Sequence, residues 1–340
     1  LRKKSQTGQG FRLSGCLLLV NMKRIDAIQK YFQKSGELSV SKTFYRDHIT
    51  ELFLWMIQAD AVHDDITSQT LALKGKGRTK IVSRQEGIAA GIEELTELLA
   101  KHTTLVFKPK VIDGAHLVQD DVLAEVSGEN TEILAYERTI LNILGRMSGI
   151  ATGTNNLIAS IKNIPGAPFI ATLRKTPLMF VDKKAVAVGG GLTHRLSLAD
   201  EILIKDNHLG MLQKELGLES SEKAAAEAVT RCMRSAMDYF EIEVDTLSQA
   251  NAVLHTFTRE NAKQQKPKMM AILLDNFKPA AAQNFVESLR KLPIYDLVLI
   301  EASGEINQTN LTDWAATGVD VISIGALTHS SKVFNYSMAY

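Results

Sequence analysis

Residues 271–304, AILLDNFKPAAAQNFVESLRKLPIYDLVLIEASG, decide the fold class. An apolar run at 271–274 ends in Asp275-Asn276, a helical pattern fills 279–291, and a second apolar run at 297–300 ends in Glu301-Ala302-Ser303-Gly304. Strands that are apolar on both faces and separated by helices form parallel sheets covered by those helices. The unit recurs outward. Runs at 169–172 (FIAT), 185–188 (AVAV), 202–204 (ILI) and 240–244 (FEIEV) precede it, and 321–324 (VISI) follows. Helical patterns at 221–237, 246–258 and 307–317 separate many of them, and 260–268 is a polar loop. Six or seven such units predict a parallel barrel or a doubly wound sheet.

Upstream the pattern changes. Residues 45–60 and 87–100 have helical period, 79–83, 105–111 and 122–126 have strand character, and 135–162 reads as a helix broken near Gly149 and Gly153. This predicts a separate α+β domain ahead of the alternating region. The first 21 residues are read as a leader, with Met22 as a natural start; Leu13-Ser14-Gly15-Cys16 matches a lipoprotein cleavage tetrapeptide, but its apolar run follows the cysteine instead of preceding it.

Composition excludes several classes. The chain has 340 residues, 39 Lys+Arg against 38 Asp+Glu, and a formal net charge of +1, so no global field favours nucleic acid or an anionic membrane. An apolar fraction of 45% excludes a disordered chain. No stretch approaches the roughly 20 apolar residues of a membrane span. Two cysteines make no disulfide framework or zinc site, which predicts a reducing, cytoplasmic setting, with Cys232 a small buried residue of a helix.

The strand endings carry the chemistry, because parallel barrels build their sites at the carboxyl ends of the strands. Early endings are basic: Arg174-Lys175, then His194-Arg195 after Gly189-Gly190-Gly191, then Lys205-Asp206-Asn207-His208. Later endings are acidic or small: Glu241 and Glu243, Asp275-Asn276, Ser303-Gly304, and Gly325-Ala326. Arginine suits bidentate recognition of carboxylate or phosphate, and lysine a point contact. Glu243 with Asp275 offers hard oxygen ligands for Mg²⁺; Glu241 shares the strand face of Glu243, so either glutamate fits that role. Small-residue turns let backbone N–H groups reach a phosphate. Residues alone imply Mg²⁺-assisted transfer involving phosphate and carboxylate. Lys183 and Lys184 are read as a solvated turn, Arg146 as part of a solvated helix face, and His329 as structural; His208 is read equally as a structural hydrogen-bonder or a ligand.

The same residues resemble the quinolinate phosphoribosyltransferase family. The matching segments, in order, are Glu137-Arg138-Thr139 with Leu141-Asn142, Ser148 to Thr152, Arg174-Lys175-Thr176, Gly189-Gly190-Gly191 with His194-Arg195, and Ile204 to His208. They continue with Glu241 to Val244, Leu274-Asp275-Asn276, Glu301 to Gly304, and Gly325 to Ser330, so the resemblance covers roughly 45–335. It implies an N-terminal α/β sandwich over 22–138, joined by 328–340, and an open barrel of about six parallel strands over 139–327. It implies transfer of phosphoribosyl from phosphoribosyl pyrophosphate to quinolinate with decarboxylation, in a homodimer or dimer-based assembly with shared sites. By resemblance Arg174, His194, Arg195 and Lys205 hold the quinolinate carboxylates and Arg138 enters from the partner. Lys175 faces phosphoribosyl pyrophosphate, Glu243 and Asp275 hold Mg²⁺, and Ser303, Gly304 and Gly325 cradle the 5′-phosphate. Lys175, Glu243 and Asp275 are the expected catalytic residues. The chain departs from the family pattern at Leu173, often threonine, and at 176–180, which is shorter and lacks a second arginine. That keeps two alternatives open: a related phosphoribosyltransferase-like protein with another substrate, and a non-catalytic barrel that binds phosphorylated ligands.

Overall fold

The computed structural model describes residues 24–340, so the leader and its tetrapeptide lie outside the described residues. The N-terminal part comprises α1 (Arg24–Phe32), α2 (Thr43–Ala59), α3 (Ile66–Thr70), β1 (Lys76–Ser83), β2 (Gly87–Ile88), α4 (Ile92–His102), β3 (Val106–Pro109), β4 (His116–Leu117) and β5 (Val122–Glu129). The long α5 (Asn130–Ile161) leads into β6 (Phe169–Ala171), α6 (Phe180–Val188), β7 (Ile202–Ile204), α7 (Asp206–Leu216), α8 (Ser221–Arg234), β8 (Tyr239–Val244) and α9 (Leu247–Asn261). Then follow β9 (Met269–Asp275), α10 (Pro279–Leu289), β10 (Val298–Ser303), α11 (Leu311–Ala315), β11 (Val321–Ser323), α12 (Ala326–His329) and β12 (Tyr336–Ala339).

The apolar runs form one parallel sheet in the order β6-β11-β10-β9-β8-β7. β8, β9 and β10 are buried on both faces almost throughout, which is why their sequences show no alternation. The sheet curls into an open barrel whose edges, β6 and β7, do not hydrogen-bond each other. A four-stranded antiparallel sheet, β12-β1-β5-β3, forms the N-terminal domain. The chain end returns to that domain, with Ile81 of β1 opposite Met338 of β12.

Three sequence expectations are corrected. AVAV at 185–188 is not a strand but the last turn of α6, because Val181, Ala185 and Val186 recur at helical spacing on a buried face. Its place in the barrel is taken by Leu192, which makes a single parallel bridge to Ala171. The helix near 87–100 starts only at Ile92, after Gly91 at a φ of 99°. α5 is not broken at its glycines. Instead Gly149 lets the C-terminal segment cross the helix, since a Cβ there would lie 1.9 Å from the Lys332 carbonyl oxygen.

α1 plugs the amino-terminal mouth of the barrel. Its Ala27, Ile28, Tyr31 and Phe32 pack on the inward residues Leu192, Tyr239, Met269, Ala271, Leu299 and Val321. Tyr31 stacks on Tyr239 with ring centroids 4.1 Å apart. This closes one end, so the interior opens only toward the carboxyl ends of the strands. Among the described residues no helix is long and apolar enough to cross a membrane.

Candidate active site

The carboxyl ends of β6 to β11 bring the basic and acidic endings to one rim. Register fixes the acidic corner. Glu243 of β8 lies opposite Leu273 of β9, and Asp275 lies two residues further along β9, opposite Ser303 of β10. Lys205, at the start of α7 directly after β7, reaches Glu243 with Nζ 2.8 Å from Oε2. Glu243 is buried and Asp275 half-buried. Burial, with Glu243 and Asp245 nearby, pushes the Asp275 carboxyl above its usual range. The corner is therefore acidic, partly desolvated and only partly neutralised by Lys205. Two hard carboxylates in that state fit a divalent cation such as Mg²⁺.

The basic side is an unpaired cluster. Arg174 and Lys175 are exposed on the loop after β6. Arg195 is buried; its Nη1 donates to the Glu201 carbonyl oxygen at 3.1 Å, while its Nε has no hydrogen-bond partner. Lys183, expected on a solvated turn, is instead 1% exposed on the inner face of α6, and its Nζ donates to the Thr193 carbonyl oxygen at 2.7 Å. Burial, with Arg174 second, lowers the Lys183 ammonium to about 7 and also lowers Arg195. None of Arg174, Lys183 and Arg195 forms an ion pair with a carboxylate among the described residues. Cations that burial and mutual repulsion disfavour are stabilised by an anion brought in from outside.

His194 does not line the rim. It is buried, with Nε2 2.7 Å from Glu241 Oε2, and ring and carboxylate atoms of His194, Glu241 and Glu301 lie within 4.8 Å of one another inside the barrel. Burial raises both glutamates to about 8, each also affected by the other, and burial lowers His194. So Glu241 and Glu243 have different surroundings: Glu241 lies in the sealed interior and Glu243 at the rim.

The small-residue turns close the rim. Gly304 has a φ of 98°, and a Cβ there would lie 2.3 Å from Asn276 Oδ1 and 2.7 Å from Asn276 N. A Cβ on Gly325 would lie 3.3 Å from Lys175 Cδ, and Thr328 Oγ1 donates to the Lys175 carbonyl oxygen at 2.7 Å. Ser303-Gly304, Gly325 and Lys175 thus follow the carboxyl ends of β10, β11 and β6, three neighbouring strands of the sheet. Arg138 is exposed on α5, in the helix's N-terminal half beside the antiparallel sheet. His208 caps α7, its Nδ1 accepting from Lys205 N at 2.9 Å. Arg146, read as solvated, instead forks onto Asp182 at 2.9 and 2.8 Å and donates to the Thr328 carbonyl oxygen at 2.6 Å. Asp182 in turn accepts from Thr176, which fixes the short 176–180 loop.

Unpaired cations, an acidic corner and small-residue turns thus share the carboxyl-end rim of one parallel α/β barrel, an arrangement suited to an enzyme of small anionic substrates. Comparison with known proteins makes the class specific. The family model for the C-terminal domain of quinolinate phosphoribosyl transferase matches residues 150–339, and that for its N-terminal domain matches 65–148. A probable nicotinate-nucleotide pyrophosphorylase (carboxylating) of Methanothermobacter thermautotrophicus is 33% identical over 286 residues, 83% of this chain and 95% of that protein. The Mycobacterium leprae nicotinate-nucleotide pyrophosphorylase (carboxylating) is 34% identical over 281 residues, 81% of this chain and 90% of that one. A solved nicotinate-nucleotide pyrophosphorylase of Francisella tularensis superposes with a TM-score of 0.71 at 28% identity, covering 86% of this chain and 95% of its own. The chain belongs to the quinolinate phosphoribosyltransferase family.

Proposed function

We propose that the chain transfers phosphoribosyl from phosphoribosyl pyrophosphate to quinolinate, releasing pyrophosphate and CO₂ and giving nicotinate mononucleotide for NAD synthesis. The observation that carries this reading is the group of three cations, Arg174, Lys183 and Arg195, with no ion-paired acid among the described residues, facing an acidic corner across one barrel rim. A dicarboxylate matches the first and a metal-bound diphosphate the second.

The chain's residues act mainly by positioning. Arg195 and Arg174 hold the two quinolinate carboxylates, with Lys205 between them and the acidic corner. That aims the pyridine nitrogen at ribose C1, and holding two anions in attack geometry replaces a costly encounter. The nitrogen forms the bond to C1 as the bond to pyrophosphate breaks. The quaternised ring then takes the electron pair as the adjacent carboxylate leaves as CO₂, and a proton replaces it on carbon. Glu243 and Asp275 would hold Mg²⁺, which when bound would supply positive charge to offset that on a diphosphate leaving group. The same carboxylates offset positive charge developing on the ribose. Lys175 contacts the diphosphate side, and Ser303, Gly304 and Gly325 receive the 5′-phosphate. Two copies associate so that the exposed Arg138 of one completes the anion pocket of the other. The reaction belongs in the cytoplasm, where buried Cys232 stays reduced.

His194 is assigned a different part from the one its motif implies. Buried against Glu241, it fixes the backbone that presents Arg195. The test mixes the purified protein with phosphoribosyl pyrophosphate, Mg²⁺ and either quinolinate or nicotinate. Nicotinate mononucleotide from quinolinate supports the reading; product from nicotinate alone contradicts it.

A further inference from the structure

The barrel has an open seam. Leu192 bridges to β6 on one side, β7 bonds only to β8 on the other, and no ladder joins the two. Arg195 stands at this seam, between the Gly191–Thr193 segment and Glu201, the residue that precedes β7. Something must hold the two lips in register, or the guanidinium has no fixed address.

The chain leaving α1 lies across that seam. The Phe32 carbonyl oxygen accepts from His194 N at 2.8 Å, and the Phe32 ring stacks on the His194 ring at 5.3 Å. Gln33 Nε2 donates to the Gly191 carbonyl oxygen at 3.3 Å, and Lys34 N donates to Thr193 Oγ1 at 2.7 Å. On the opposite lip, Lys34 Nζ pairs with Glu201 Oε1 at 2.7 Å, and the same Glu201 accepts from Arg195 through its carbonyl oxygen at 3.1 Å. Lys34 therefore touches both lips at once, the first through its backbone and the second through its ammonium. His194 sits at a φ of 51°, a left-handed conformation that is strained for a non-glycine residue and persists only where neighbours impose it. The Phe32 carbonyl is the hydrogen-bond partner of its amide. The far end of α1 is fastened as well: Arg24 forks onto Asp320 at 2.6 Å through both Nε and Nη2, and donates to the Tyr295 and Val298 carbonyl oxygens.

We propose that residues 24–34 are a strap that laces the open seam of the barrel, and that Lys34 is a positioning residue for the Arg195 side of the quinolinate pocket. The proposal rests on the reading of Arg195 as a carboxylate-binding group. It adds that specificity for the dicarboxylate depends on a segment outside the barrel, which touches neither substrate.

The test uses the full chain with Lys34→Met, Lys34→Arg and Arg24→Ala. Lys34→Met raises KM for quinolinate about fivefold or more while KM for phosphoribosyl pyrophosphate stays within about twofold, and Lys34→Arg recovers most of the loss. Equal rises in both KM values, or none, overturn the proposal. A second readout needs no substrate. Hydrogen exchange of peptides covering 191–196 speeds up in Lys34→Met and Arg24→Ala while β8, β9 and β10 stay protected, which also shows that the barrel is folded. Unchanged protection at 191–196 overturns the strap. A wild-type chain that fails to use quinolinate counts against the functional reading alone, because the exchange arm still decides whether the strap holds the seam.

Discussion

Replacing Arg195 by alanine separates the two substrates. Arg195 is 5% exposed and its buried Nε has no partner among the described residues, so an incoming carboxylate completes a site that is already largely desolvated. A charge-assisted hydrogen bond of this kind contributes about 1.5–3 kcal/mol. Its loss corresponds to roughly a 10- to 150-fold fall in kcat/KM for quinolinate. The fold itself loses little. The bond to the Glu201 carbonyl oxygen contributes about 1 kcal/mol, and removing Arg195 relieves repulsion from Arg174 and Lys183. Steady-state kinetics with each substrate varied in turn reads the split, with a thermal melt as the folding control. Arg195→Lys keeps the charge but loses the fork, so it falls between wild type and alanine. Equal loss toward quinolinate and phosphoribosyl pyrophosphate, in a variant that melts normally, would refute the assignment of Arg195 to the carboxylates.

Three further outcomes follow from other parts of the molecule. Glu94, 1% exposed and raised by burial to about 7, holds its proton in the folded state up to a pH at which the unfolded chain has lost it. Its contribution to stability is present below about pH 4.5 and is lost as pH rises through about 7, so Glu94→Gln flattens that part of the stability profile by about 3 kcal/mol, read by denaturant unfolding at several pH values. An Arg138→Ala subunit mixed with a Lys205→Ala subunit recovers partial activity, since one site of the mixed dimer is then intact; each variant alone stays weak, and no recovery in a verified mixed dimer refutes sharing. Gly304→Ala forces a Cβ to within 2.3 Å of Asn276 Oδ1 at a φ of 98°, so it raises KM for phosphoribosyl pyrophosphate more than for quinolinate, measured by the same kinetics.

The barrel was legible because each of β8, β9 and β10 is buried on both faces and carries a charged or small residue at or next to its carboxyl end. The AVAV run misled because four small apolar residues fit a buried strand and a buried helix turn equally well; only Phe180 and Val181 ahead of it settle the period. Lys183 was missed for a related reason. A lysine beside a second lysine reads as solvated, yet its spacing of three from both Phe180 and Val186 places it on the buried face. Arg146 hid its ion pair because Asp182 is distant in sequence. The contacts of the strap at 32–34 were not readable at all, since its partners lie about 160 residues away and several meet it through main-chain atoms of one side or the other. The site was legible as residue types at strand ends, but not in its division of labour: nothing in Glu241-Ile242-Glu243 says that the first glutamate is sealed with His194 while the second meets Lys205.

One rim couples phosphoribosyl transfer to loss of the carboxylate next to the ring nitrogen. The most direct measurement supplies quinolinate labelled in that carboxylate and follows release of labelled CO₂ with and without phosphoribosyl pyrophosphate. Release is expected only with phosphoribosyl pyrophosphate, with one CO₂ per nicotinate mononucleotide formed and full retention of label placed in the other carboxylate. Release without phosphoribosyl pyrophosphate, or a nucleotide product that keeps both carboxylates, would contradict it.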